Sequence, residues 1–286
     1  MAEDPFVVHR GLLFTVAYEL LGSAADAEDV LQESWLRWAR VDRQRVHDPR
    51  SYLIRIVTRQ GLNRLRTLSR RREQYVGEWL PEPLLTTPDV AEDVELAESV
   101  SFAMLTVLET LGPTERAVFV LREVFELPYE EIAEALGKTS AAVRQVARRA
   151  RGHVAARRPR VRVTHSEQRR VVERFLETLR TGRLQDLMEV LAPDVVLIAD
   201  GGGIVAAAVA PVHGAEAVAA LLARAGRLPV SLAAVWLNGA PAGRIDIGGE
   251  PSVVSLAVED GLITRVYVVR NPRKLTRLNS PADLAR

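Results

Sequence analysis

The sequence predicts a multidomain protein: two all-α domains, the second built around a helix-turn-helix, followed by an α+β domain. Three observations predict it. Residues 8–40, 51–69, 90–112 and 114–126 carry apolar side chains at helical spacing, the last two runs each reading as one helix on either side of Gly112-Pro113. Pro128 to Arg151 reads PYEEIAEALGKTSAAVRQVARRAR, the pattern of two short helices about a glycine. From Ser166 the texture changes to one more helix, ending near Arg180, and then to glycine-rich alternation. That alternation is clearest from Ser252 to Val269, where two apolar strands meet at Glu259-Asp260-Gly261.

In the first domain, the helical run 8–40 breaks at Gly22-Ser23, where Ser23 and Asp26 fit a capping box that starts a second helix. Asp26, Glu28, Asp29 and Glu33 form an acidic face beside Gln32, whereas Trp35 and Trp38, three apart, read as core. Asp48-Pro49 marks a turn into a third helix, on which Arg55, Arg59, Asn63 and Arg66 recur as one polar stripe.

Residues 79–84, WLPEPL, follow. Pro81 and Pro83 remove two backbone donors and hold Leu80 and Glu82 extended, so the stretch is a stiff spacer rather than a helix. Trp79, Leu80 and Leu84 would each forfeit about 2 kcal/mol if left in water, so something is expected to pack on them. In the helix-turn-helix, Ile132, Ala133 and Leu136 face Val143 and Val146 across Gly137. The opposite face carries Ser140, Arg144, Gln145, Arg148 and Arg149, side chains suited to base edges and phosphates.

Composition narrows the function. With 286 residues, 48% of them hydrophobic, the chain can build two or three cored domains. No apolar run reaches membrane-spanning length and the first residues, MAEDPF, are acidic, so a cytoplasmic protein with no membrane partner is expected. The absence of cysteine excludes disulfides, thiolate zinc sites and thiol redox sensing, and no cofactor or metal is called for. The net charge of +1 conceals segregation: eight arginines and no acid lie between Arg50 and Arg72, and eight arginines with Lys138 and no acid between Ala135 and Ser166. Two basic patches on a balanced chain point to two contacts with one polyanion.

On these residues the chain resembles the extracytoplasmic-function sigma factors. The helix-turn-helix is similar to their promoter-reading C-terminal region, DAEDVLQESWLRW (Asp26 to Trp38) to their core-polymerase-binding helix, and PRSYLIRIVTRQGLNRLR (Pro49 to Arg66) to their minus-ten-reading helix. The resemblance implies core RNA polymerase and promoter DNA as partners. It implies polymerase binding by Asp26, Asp29, Gln32 and Glu33, minus-ten reading by Arg55, Arg59, Asn63 and Arg66, and minus-thirty-five reading by Ser140, Arg144, Gln145, Arg148 and Arg149. Val146 stands where many members carry an arginine.

WLPEPL, the DGGG at Asp200 to Gly203 and the NPRKL at Asn271 to Leu275 are similar to three signatures of one subgroup, which has a SnoaL-like (NTF2-like) domain fused at its C-terminus. Ile204 stands where a basic residue usually follows DGGG. The implied division is a first sigma domain at 1–75, a linker at 76–95, a second sigma domain at 96–158, a SnoaL-like cone at 166–275 and a polar, removable tail at 276–286. The implied regulatory contact within the chain involves Trp79, Leu80, Pro81, Glu82, Pro83, Asp200, Gly201, Gly202, Gly203, Asn271, Pro272, Lys274 and Leu275.

Two other classes compete. SnoaL-like folds include cyclases and isomerases, and His213, Asp200 and Asp246 are the acid–base candidates for such a pocket, although His213 in Pro-Val-His-Gly reads more naturally as a turn or surface residue. The other is a one-component DNA-binding regulator with a ligand-sensing domain. The polymerase-binding segment argues against it, so the expectation is a non-enzymatic initiation factor, with any pocket ligand left open.

Overall fold

The computed structural model describes residues 3–72, 74–157, 163–225 and 230–286. Its first helices are α1 (Pro5–Val8), α2 (Arg10–Leu21), α3 (Ala24–Trp38) and α4 (Pro49–Arg72). Next come α5 (Val94–Ser99), α6 (Phe102–Leu108), α7 (Pro113–Phe119), α8 (Tyr129–Leu136) and α9 (Ser140–Ala155). The remainder runs α10 (His165–Thr181), α11 (Leu184–Val190), β1 (Leu191–Asp200), β2 (Val212–His213), α12 (Ala215–Ala225), β3 (Val230–Leu237), β4 (Ala240–Ile247), β5 (Glu250–Glu259) and β6 (Leu262–Val269). Two compact units result. One joins Met1–Glu73, Met104–Arg158 and Asp283–Arg286; the other joins Gln74–Ala103 and Pro159–Ala282. Residues 76–95, read from the sequence as a linker, thus belong to the second unit, and the boundary read at 158 lies outside the described residues.

In the first unit α2 is buried from Gly11 to Leu21, as a helix apolar on every side must be. The Ser23 hydroxyl caps α3 by accepting from the Asp26 amide at 3.2 Å. In the helix-turn-helix, Gly137 takes φ 63°, and the Lys138 amide returns to the Ala133 carbonyl at 2.9 Å, closing α8. Ile132, Ala133, Val143 and Val146 are buried between α8 and α9. Arg116 of α7 is 1% exposed; its Nε donates to the Glu19 carbonyl of α2 at 2.9 Å and its Nη1 pairs with Glu109. Burial pulls its pKa down to about 9 and Glu19 opposes that pull, so it remains a cation at neutral pH.

The last residues also pack here rather than trailing away as a polar tail. The Ala285 amide donates to Thr15 Oγ1 at 3.1 Å and Arg286 Nε to the Val124 carbonyl at 2.9 Å, with Leu284 buried.

The second unit is α+β. Its six strands run in the order β2-β1-β6-β5-β4-β3, with β1 and β6 parallel and the other neighbours antiparallel. One face of the sheet packs Leu197, Val254, Leu256 and Val266 against Phe175, Leu187 and Val218 from α10, α11 and α12. The opposite face buries Val253, Tyr267 and Val269 against Leu80, Phe102 and Leu278. The proline-rich segment is therefore not solvent-facing but supplies part of the sheet's second cover: Leu80 and Leu84 are 0% and 2% exposed. Asn238, in the β3–β4 turn, clamps it, accepting from the Leu84 amide at 3.0 Å and donating to the Val100 carbonyl at 2.9 Å.

The run 90–112, expected as one helix, is instead a 3-10 turn at Pro88–Ala91 followed by α5 and α6. Ser99 and Ser101 turn their hydroxyls back to the carbonyls of Leu96 and Glu98, and the Val100 carbonyl is spent on Asn238. The hairpin read at 252–269 forms, with Asp260 and Gly261 both at positive φ.

Replacing Arg116 with alanine removes the buried cation that pairs with Glu109 and lies near the buried Glu19. Urea denaturation is expected to show a loss of about 3 to 5 kcal/mol; an unchanged midpoint would mean that the network contributes nothing to the stability of this unit.

Candidate functional site

Three groups of side chains stand out, one on each of α3–α4, α8–α9 and the strap that covers the sheet. On the first, Arg64 of α4 donates from Nε to Asp26 at 2.7 Å and from Nη2 to Asp29 at 2.9 Å, while Gln60 donates to Glu33 at 2.9 Å. The hydrogen bond to Asp26 is the largest cause of the upward shift in the Arg64 pKa. Asp29, Gln32 and Glu33 remain exposed. The two tryptophans read together as core are divided: Trp38 is 1% exposed and donates to Asp4, whereas Trp35 is 36% exposed beside an open Leu36. This apolar extension of the acidic face was not legible, because spacing of three does not say which residue lies at the edge of the buried stripe.

The polar stripe of α4 is divided too. Arg59 donates from Nε to the Ala135 carbonyl at 3.0 Å and from Nη2 to the Glu134 carbonyl at 2.9 Å, and Arg55 pairs with the Glu134 carboxylate. Two guanidinium groups therefore rest on the C-terminal end of α8, where carbonyls and helix dipole favour cations. Asn63 and Arg66, farther along, are exposed. On α9, Arg144, Gln145, Arg148 and Arg149 are exposed and Ser140 half-buried on the face opposite Val143 and Val146. Val146, read from the sequence as a departure from the family pattern, is buried on the inner face of α9.

The third group centres on Asp200 at the end of β1, 0% exposed. Its Oδ1 accepts from the Tyr75 hydroxyl at 2.6 Å and the Gly202 amide at 3.0 Å; its Oδ2 accepts from the Leu80 amide at 2.9 Å and Lys274 Nζ at 2.7 Å. Lys274 also donates to the Leu80 carbonyl and sits 3.9 Å from the centre of the Trp79 ring. Asn271 donates to the Tyr75 hydroxyl at 2.8 Å, and its side-chain oxygen accepts from the Arg273 amide, starting the Pro272–Lys274 turn. Gly202 is required twice over: its φ is 64°, and a Cβ there would lie 2.3 Å from the Asn271 amide nitrogen. Pro81, Glu82 and Pro83 are buried in the strap, Leu275 is half-buried, and Gly201 and Gly203 complete the turn. Tyr75 was not singled out by the sequence; nothing in its neighbours signals a partner 125 residues away.

The acid–base candidates do not assemble. Asp200 has both oxygens engaged by four donors, His213 is exposed on β2, and Asp246 lies on β4, separated from β1 by β6 and β5. Among the described residues no helix is long and apolar enough to cross a membrane.

Comparison with known proteins places these groups in context. Residues 6–71 match the family described as Sigma-70 region 2, and residues 101–154 that described as Sigma-70, region 4. The chain is 36% identical over 296 residues to the ECF RNA polymerase sigma factor SigJ of Mycobacterium tuberculosis (strain H37Rv), spanning 96% of this chain and 94% of that one. It is 34% identical over 277 residues to the probable ECF RNA polymerase sigma factor SigI of M. tuberculosis (strain CDC 1551), spanning 95% and 94%. The crystal structure of M. tuberculosis SigJ superposes with a TM-score of 0.77 at 34% identity, over 96% of this chain and 98% of that one.

Burial, and then the hydrogen bond and charge of Asp200, push the Tyr75 phenol above its ordinary pKa, and burial pushes Tyr267 up to about 12. A raised folded-state pKa contributes stability that is complete below the unfolded phenol's value of about 10 and is lost as pH rises beyond it. Melting temperature should therefore fall above about pH 10, and Tyr75→Phe should remove part of that fall; an identical alkaline slope in the variant would contradict the Tyr75–Asp200 bond.

Proposed function

This chain belongs to the extracytoplasmic-function family of RNA polymerase sigma factors, and from that premise we propose how its residues divide the work. The acidic face of α3, extended by Trp35 and Leu36, binds core RNA polymerase. The stripe on α4 reads the minus-ten element and α9 reads the minus-thirty-five element. The C-terminal α+β domain regulates the spacing of the two readers. The chain initiates promoter-specific transcription and catalyses no reaction of its own.

One observation carries this reading. The two arginine-bearing helices lie in the two stretches that match sigma regions, and half of the minus-ten stripe, Arg55 and Arg59, is occupied by α8 of the helix-turn-helix. A guanidinium held by backbone carbonyls is not available to a promoter base, which supports reading this arrangement as a closed form in equilibrium with an open one. The regulatory part rests on connectivity. Residues 74–103, the start of the covalent connection from α4 to α7, belong to the second unit. Thirty free residues could reach about 100 Å, whereas a segment pinned at Leu80, Leu84 and Val100 has no such slack. The saturated Asp200 and the separation of His213 from Asp246 support a non-enzymatic role for that domain.

Mixing the full chain with core RNA polymerase and a promoter library should yield transcripts, and Asp29→Lys or Glu33→Lys should abolish capture of core enzyme with an unchanged circular dichroism spectrum. Capture that survives both reversals would reduce the acidic face to solvated surface, and failure to form holoenzyme would remove the central proposal.

Opening can be probed by Glu134→Ala. The Arg55–Glu134 pair is partly exposed and therefore modest in value, and the carbonyl bonds of Arg59 persist. Affinity for a minus-ten duplex bubble should rise only about two- to fivefold. A lower affinity would show that Glu134 does not compete with DNA.

A further inference from the structure

Tyr129 is the first residue of α8, half-buried, and three arginines gather on it. The Arg122 guanidinium carbon lies 4.8 Å from its ring centre and that of Arg144 lies 5.5 Å away. Arg151 Nη1 lies 3.4 Å from its hydroxyl and 3.0 Å from Glu123 Oε1. Arg122 is itself fixed, donating to the Leu127 carbonyl at 3.0 Å and the Glu126 carbonyl at 3.4 Å. Arg144 is fixed from a second direction, donating to Glu130 Oε1 at 3.0 Å. A chain of contacts thus runs from two loop carbonyls through Arg122 and the Tyr129 ring to the guanidinium of Arg144 on the exposed face of α9.

We propose that Tyr129 is a positioning residue for Arg144 and thereby a determinant of minus-thirty-five specificity, with Glu130 as its partner. The proposal rests on the reading that Arg144 contacts a base of that element. A long exposed side chain loses much rotamer freedom when it is ordered in a groove. One already restricted by a ring and a carboxylate loses less on binding, and bidentate recognition of a base edge depends on the angle of its planar fork. The ring contact and the ion pair are each weak at a surface, but both act on the same group. Both also come from the first two residues of α8, so the first helix of the motif sets the aim of the second.

The test is a double-mutant cycle with holoenzyme on promoters whose minus-thirty-five bases are randomised. Its readout is the ratio of binding to the preferred base over the others at the position where Arg144→Ala loses discrimination. Tyr129→Leu should lower that ratio about three- to tenfold, and Tyr129→Phe, which keeps the ring, should leave it within about twofold. In the Arg144→Ala background Tyr129→Leu should change the ratio less than about twofold. Salt dependence should be unchanged throughout, because no phosphate contact is removed. Glu130→Gln, which leaves the ring in place, provides the same cycle should Tyr129→Leu fail to fold.

Additive effects of Tyr129→Leu, or of Glu130→Gln, with Arg144→Ala would overturn the proposal. So would equal weakening on all sequences with the ratio preserved. If Arg144→Ala itself leaves every ratio unchanged, the minus-thirty-five role of Arg144 falls and the proposal with it, a result distinct from additivity.

Discussion

Everything at the strap depends on one carboxylate. Asp200 is fully buried, and an isolated charge there would be prohibitively costly, so its four donors are a requirement rather than an embellishment. Those donors come from four places in the sequence: Tyr75 just after α4, Leu80 in the strap, Gly202 in the glycine turn and Lys274 after β6. The chain uses arginine almost everywhere, with Lys138 and Lys274 its two lysines. A compact ammonium can be shared among a carboxylate, the Leu80 carbonyl and the face of Trp79, whereas a flat guanidinium fork would demand a planar partner. The three sequence signatures are thus parts of one hydrogen-bonded knot.

The same logic, applied to the basic patches, explains why arginine contacts inside the first unit are compatible with DNA binding. Arg55 and Arg59 are held at a helix C-terminus by two carbonyls and one carboxylate, partners that satisfy guanidinium groups without burying them deeply. Phosphates offer charged acceptors and base edges neutral ones, the same two kinds that the Glu134 carboxylate and the α8 carbonyls supply here. Arg116 is the contrast: fully buried and tied to a backbone carbonyl and Glu109, it behaves as a structural cation and takes no part in the exposed stripes.

Much of this was legible in the sequence because it is local. The spacing about Gly137, the hairpin at Asp260-Gly261 and the alternation of Val143 and Val146 with exposed arginines are each set within one or two turns of chain. Residues 79–84 were legible as apolar and stiff, but their destination was not, since which sheet face lacks a cover is a property of the assembled strands. For the same reason Tyr75 and Asn238 escaped notice. Asn238-Gly239 is an ordinary hairpin turn until Leu84 and Val100 arrive to use its side chain. The unbroken helix expected over 90–112 failed because a tertiary donor, the Asn238 side-chain amide, claimed the Val100 carbonyl, a competition that helix propensity cannot register.

The polar character of the knot also constrains how the strap can let go. A purely apolar strap could peel away residue by residue, each step exposing a little more surface. Here the first bond to break, whether from the Leu80 amide or from Lys274, leaves a buried carboxylate short of a donor, so partial release is worse than either end state. Leu80 and Leu84 add apolar burial that is lost only when the strap leaves the sheet. Intermediate lengths of free connection are therefore disfavoured, and under the proposed assignment the reach between α4 and α9 takes two values rather than a continuum, as the proposed regulation of spacing requires.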